Sequence, residues 1–308
     1  MGRFSAVHLL LLAIVVSGCA NSNSRDAVAP GPEAPTIYVE GGPTGLAVSQ
    51  GIVWVAYGQD SVARIDAKTN QIVTRVKVGR DPVGLAIARG SVWVTNRVDG
   101  TVSRIDEQTH SVVATIPVGK GPFMIAASDD AIWVANSGSG DVSKIDPQTN
   151  RTTATIPIGI DAVGIAVDAN SVWVTEPKGH KVVQIDAASN QIVGKPIAVG
   201  PRPECVAVSA SAVWVASASG VSRIDPRTHQ VVATIPIDGS PVCPVIVGDA
   251  VWVSLFKRAS IVKIDARTNS VIGAPIRVAQ SPAEMAVGEG AIWVSSGFAS
   301  RVSRVPLQ

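Results

Sequence analysis

Residues 81–119 read DPVGLAIARGSVWVTNRVDGTVSRIDEQTHSVVATIPVG. Four short runs rich in Val, Ile, Thr and Ala are separated by Gly, Asp, Asn and Arg, and no apolar residues recur at helical spacing. That pattern predicts four strands joined by tight turns. The stretch is one of seven. Trp93 has counterparts at Trp54, Trp133, Trp173, Trp214, Trp252 and Trp293, at steps of 39, 40, 40, 41, 38 and 41 residues. Four strands repeated seven times at a period near 40 predict an all-β chain, a seven-bladed β-propeller with four antiparallel strands per blade.

Chemistry orders the strands. GLAIA and VWVT are apolar on both faces, as inner strands packed between neighbouring blades must be. The run VVATIPV and its copies carry Pro117, Pro157, Pro196, Pro236 and Pro275. Proline lacks the N–H that a ladder needs, so this run is the outermost strand. The last unit ends at RVSRVPLQ (301–308), one strand short, and residues 36–40 at the other end match the missing one. The N-terminal strand is expected to pair into blade seven and close the ring.

Composition narrows the class. Of 308 residues 46% are hydrophobic and 16% charged, and the net charge is +2. Such a chain can bury a core and is not a disordered tail. With no block of basic residues it offers nucleic acid little.

At the N-terminus Arg3 precedes an apolar run, Ala6 to Val16, too short to span a bilayer. This is the form of a secretory signal over residues 1–18. Val16-Ser17-Gly18-Cys19 resembles a bacterial lipobox. The resemblance implies cleavage before Cys19 and acylation there; the alternative is a plain signal peptide with an incidental cysteine. Residues 19–35 are then a lipidated Cys and a flexible tether, and 36–308 the propeller. The expected location is extracytoplasmic, on a cell or outer membrane, with a monomeric domain hung from lipid.

VWVTN (92–96), GPFMIAA (121–127), IDPQTN (145–150) and VVATIPVG (112–119) resemble the YVTN-type repeats of bacterial propellers. More distantly they resemble virginiamycin B lyase and strictosidine-synthase-like propellers. The resemblance implies the fold over residues 36–308. It leaves function open, because propellers host unrelated activities.

Repetition separates scaffold from site. The seven tryptophans belong to the core, and the turn aspartates (Asp66, Asp106, Asp146, Asp186, Asp225, Asp265) accept backbone N–H bonds in D-x-x-[TS]-[NH] loops. His110 and His229 stand where other copies have Asn. Residues that break the symmetry are the candidates. Tyr57, Phe123, Phe256 and Phe298 are expected in loops on one face, joined by the cations Arg97 and Lys257. They form either a contact surface for a protein, glycan or small-molecule ligand, or local caps on blade ends.

Glu176, His180 and Glu204 gather on the same rim. They read either as a solvated ion-pair cluster or as an acid–base or metal site. The second reading would make the chain a metal-assisted lyase or hydrolase at the channel mouth, with a divalent cation; otherwise no cofactor is expected. The lyase resemblance implies a His one residue removed from a Glu, and Glu-x-His does not occur. Nor do G-x-S-x-G, H-E-x-x-H, C-x-x-C or phosphate-loop patterns. A binding platform is therefore the expected function, with catalysis the alternative. Cys205 and Cys243 occupy equivalent positions in neighbouring inner strands, either as a cross-blade disulfide or as two buried thiols.

Overall fold

The strand Ser91–Asn96 is buried along its whole length, and so are its counterparts Ile132–Asn136 and Ala212–Ser217. Strands apolar on both faces must have a sheet stacked on either side, and seven such sheets close on themselves. The computed structural model describes residues 33–168 and 170–307 and forms seven four-stranded antiparallel sheets. Blade one runs Pro43–Ser49, Ile52–Tyr57, Ser61–Asp66 and Gln71–Lys77, from the inner strand to the outer. Blades two to six follow over 82–117, 122–157, 165–198, 206–236 and 241–277. The signal segment and Cys19 lie outside the described residues.

Blade seven takes three strands from 285–306 and its outer strand from Thr36–Tyr38. Thr36 pairs with Ser303, Ile37 with Val302 and Tyr38 with Arg301. Two residues before that strand also belong to the ring. Glu33 bridges to Arg277 of blade six, the Ala34 N–H donates to the Arg277 carbonyl at 2.9 Å, and Ala34 is buried between blades six and seven. Glu33 and Ala34, expected in the tether, are part of the propeller, because an alanine fits that groove.

Each tryptophan packs into the next blade. Trp54 joins Leu85, Val92, Val94 and Ile105; Trp133 joins Ile165, Val172, Val174 and Ile185; Trp293 closes the circle onto Leu46, Val53 and Val55. Hydroxyls stitch the same seams. Thr95 Oγ1 donates to the Phe123 carbonyl at 2.7 Å, Thr175 Oγ1 to the Glu204 carbonyl at 2.8 Å and Ser254 Oγ to the Ala283 carbonyl at 2.7 Å. Each is buried and satisfied on both sides of its seam.

Blade four is the irregular member. Its outer strand shrinks to Ile197–Ala198, and beyond a bulge the third strand keeps one further bridge, Ile185 to Ile192. The run QIVGKPIAVG is one residue longer than the matching RTTATIPIG of blade three. The extra residue is absorbed at Gly194, whose φ of 64° suits glycine.

Candidate binding face

One face of the ring carries the turns between second and third strands together with the loops that join blades. The two sets are hydrogen-bonded to each other. Arg97 N–H donates to the Asp81 carbonyl at 2.9 Å, Phe256 N–H to the Ser240 carbonyl at 3.1 Å and Lys257 N–H to the Gly239 carbonyl at 2.9 Å. Side chains on this face are thus presented by backbone pinned at both ends. In blade six the turn tightens into a single 3-10 turn, Phe256–Arg258, ended by Ala259 at a left-handed φ of 47°.

Phe256 and Phe298 meet here. Their ring centroids are 6.2 Å apart at an interplanar angle of 72°, an edge-to-face pair spanning blades six and seven. Phe298 is 60% exposed and Phe256 partly so. Beside them Lys257 and Arg258 are exposed, and Arg258 pairs with Asp238. The Arg301 guanidinium lies 5.1 Å over the ring of Tyr38, which is 56% exposed.

The other aromatic candidates are placed differently. Tyr57 is the last residue of its strand and is 9% exposed, packed in the core between blades seven and one. Phe123 lies in the inner strand Pro122–Ala127 and is partly buried. Neither sits in a loop, because both strands run to the edge of the face before turning. Arg97 is largely covered and its Nε donates to Asp81 Oδ2 at 2.6 Å.

Each member of the polar trio has a partner of its own. Glu176 is fully buried: its Oε2 is 3.0 Å from Lys181 Nζ, and its Oε1 accepts the Ile160 N–H at 3.1 Å. It stands where blades two and three have Asn96 and Asn136, each of which ties its own turn to the third strand. His180 is exposed and its Nδ1 accepts the Arg202 N–H at 3.0 Å. Glu204 lies 3.9 Å from Arg202. Burial pushes the Glu204 carboxyl up, with Arg202 opposing and Asp161 adding to the rise. Asp161, a neighbour that sequence reading did not single out, is raised by its own burial, against the pull of the Lys178 N–H and charge. Among the described residues no three His, Cys, Asp or Glu side chains are disposed to hold a metal ion.

Deeper in the ring, Cys205, just before the inner strand of blade five, and Cys243, within that of blade six, form a disulfide, Cα to Cα 4.9 Å. At the equivalent position blades one, two and four have Gly45, Gly84 and Gly164, where a Cβ would strike the next blade. Blade seven has Glu284 there. With no cation among the influences on it, burial lifts that carboxyl to about 8, opposed only by the Leu46 N–H of blade one. A carboxylic acid at a blade seam is not announced by its flanking sequence, SPAEMAV; alignment of the seven copies is what exposes it.

On the opposite face aspartates hold the turns between third and outer strands. Asp66 Oδ1 accepts the Lys68 and Thr69 N–H groups at 2.9 and 2.7 Å, which holds its carboxyl below the usual range, and Asp106 is held likewise by Thr109 and Gln108.

No family model and no curated protein matches the sequence. Solved structures do match in fold. A virginiamycin B lyase from Staphylococcus aureus superposes with a TM-score of 0.76 at 17% identity, covering 90% of this chain and 99% of that one. A streptogramin B lyase gives 0.75 at 16%, covering 89% and 97%. A chain of the mitotic checkpoint complex gives 0.81 at 10%, covering 95% and 98%. At such identities the likeness establishes the seven-bladed propeller and leaves activity open.

Proposed function

We infer that this chain is an extracytoplasmic, lipid-tethered propeller that acts as a binding platform, holding a protein, glycan or other envelope component against the loops of the face described above. The observation that carries this reading is the Phe256–Phe298 pair, two aromatic rings kept at the surface of otherwise polar turns. Soluble domains seldom leave such rings in contact with water unless something covers them. The lipobox-like Cys19 and the Cys205–Cys243 disulfide both fit an oxidising compartment.

The lyase alternative is supported by the fold likeness and by two raised carboxyls, Asp161 and Glu204. It is weakened by the commitments of Glu176 to Lys181 and of His180 to the Arg202 N–H.

The test has two arms. Mass spectrometry of the full chain made in a bacterial host should find acyl groups on Cys19, absent from Cys19→Ala. Chain lacking residues 1–19 should bind isolated cell envelope, and Phe256→Ala with Phe298→Ala should weaken that binding at least about tenfold at unchanged thermal midpoint. Equal binding by the double variant contradicts the platform reading.

A further inference from the structure

The aromatic pair and the point where the N-terminal chain joins the ring fall in one sector. Phe256 and Phe298 top blades six and seven, and Glu33 and Ala34 dock between those same two blades. Tyr38, the last residue of the closing strand, pairs with Arg301, three residues after Phe298. The sector therefore carries three aromatic rings at or near the surface, with Lys257, Arg258, Arg277 and Arg301 as its cations and Glu33, Glu40 and Asp238 as its acids.

We propose that this sector is a membrane-docking surface: the rings of Phe256, Phe298 and Tyr38 enter the headgroup region of an anionic bilayer, and the neighbouring cations meet its phosphates. The proposal names the envelope component of the platform reading and relies on that reading's anchor at Cys19. Chain length supports it. Thirteen residues separate Cys19 from Glu33, so the tether reaches at most about 50 Å at full extension. An acyl anchor on such a lead would keep the point where the chain joins blades six and seven within that distance of lipid. Chemistry supports it too. A phenol such as that of Tyr38 favours the membrane interface, phenyl rings flanked by Lys and Arg bury at the headgroup boundary, and each nearby cation adds attraction to anionic lipid. The rigid backbone beneath, pinned by the Ser240 and Gly239 carbonyls, holds the rings in place, so little ordering is needed on contact. Docking would fix which way the rest of the face points, turning a swinging disc into an oriented one.

The chain lacking residues 1–19 keeps every strand of the ring and has no acyl group, so it isolates the surface from the anchor. It should sediment with phosphatidylglycerol-containing vesicles and much less with phosphatidylcholine alone. Phe256→Ser, Phe298→Ser and Lys257→Glu together should cut the bound fraction about tenfold, whereas Arg80→Glu with Lys120→Glu, on the same face over blades two and three, should not. As a readout that does not depend on overall affinity, Phe298→Cys carrying a polarity-sensitive dye should shift to the blue with vesicles, and Lys68→Cys on the opposite face should not. No sedimentation of the parent chain, equal loss in the blade two and three variant, or a shift at position 68 instead of 298 overturns the proposal. So does vesicle binding that survives the triple change while binding to an envelope protein is lost, since that makes the partner a protein. Acyl groups found on Cys19 of the full chain leave the anchor standing whichever way the vesicles decide.

Discussion

Arg104 Nη1 donates to Asn150 Oδ1 in the next blade at 3.0 Å while its guanidinium lies 5.0 Å above the centre of the Trp93 ring. The same donor reaches the Pro147 carbonyl at 2.8 Å. The arrangement repeats: Lys144 over Trp133 reaches Ala187 and Asn190, and Arg223 over Trp214 reaches Ala266 and Asn269. Six tryptophans carry a cation at 4.9–5.6 Å; the seventh, Trp173, has Gln184 in register and the edge of His229. The D-x-x-[TS]-[NH] turn thus has a second role beyond reversing the chain, as the socket for the previous blade's cation.

The clamp gives a first prediction. Arg104→Met keeps the stem over Trp93 and removes the charge and three hydrogen bonds, the third from Nε to Ser91 Oγ at 2.9 Å, so it should destabilise the domain by about 2 kcal/mol. Asn150→Ala should cost less, and a double-mutant cycle in urea should show coupling between the two. Additive effects would mean that the pair is a bystander.

Ring closure gives a second. Ile37 and Val39 are buried against blades seven and one, and three residues of ladder tie the ends of the chain together. Deleting residues 33–40 should leave blade seven with three strands and lower the thermal midpoint sharply. An unchanged midpoint would count against closure by this strand.

The disulfide gives a third. Unfolded but unreduced protein lacking residues 1–19 should show no reactive thiol. Replacing Cys205 and Cys243 by Ala should cost about 4 kcal/mol in the chain-entropy account, for a sequence separation of 38 residues. Two thiols titrating without reductant would contradict the bond.

Glu284 gives a fourth. Its carboxyl is raised from an ordinary 4.5 to about 8, so the folded state holds a proton there that the unfolded state releases. Stability from this group is therefore present at acid pH and lost as pH climbs through that window, by at most about 1.4 kcal/mol per unit. Glu284→Gln should flatten the pH dependence between about 5 and 8 and raise stability at neutral pH. A parallel pH profile for the variant would show that Glu284 is solvated in the folded state.

What the sequence made legible follows from what repeats. The Trp spacing, the outer-strand prolines and the spare N-terminal strand specify the ring, because each is a demand that every blade makes. The cysteine positions could be aligned for the same reason. The cation clamp was hidden because S-[RK]-I-D scans as ordinary strand alternation, and its partner lies about 45 residues away across a seam. Tyr57 was expected on the surface because strand ends are poorly marked when the following turn, GQD, is polar; the phenol falls on the core side. Residues 33–35 were expected outside the propeller since Glu-Ala-Pro carries no strand signal, and Ala34 is buried in the groove between blades six and seven.

The central claim is that the working surface lies on the loop-bearing face over blades six and seven. Hydrogen–deuterium exchange of the chain lacking residues 1–19, with and without phosphatidylglycerol-containing vesicles, tests it most directly. The account predicts slowed exchange at residues 255–260 and 297–301 and none at the Asp66–Asn70 and Asp146–Asn150 turns. Protection confined to those turns, or spread evenly round the ring, would contradict it.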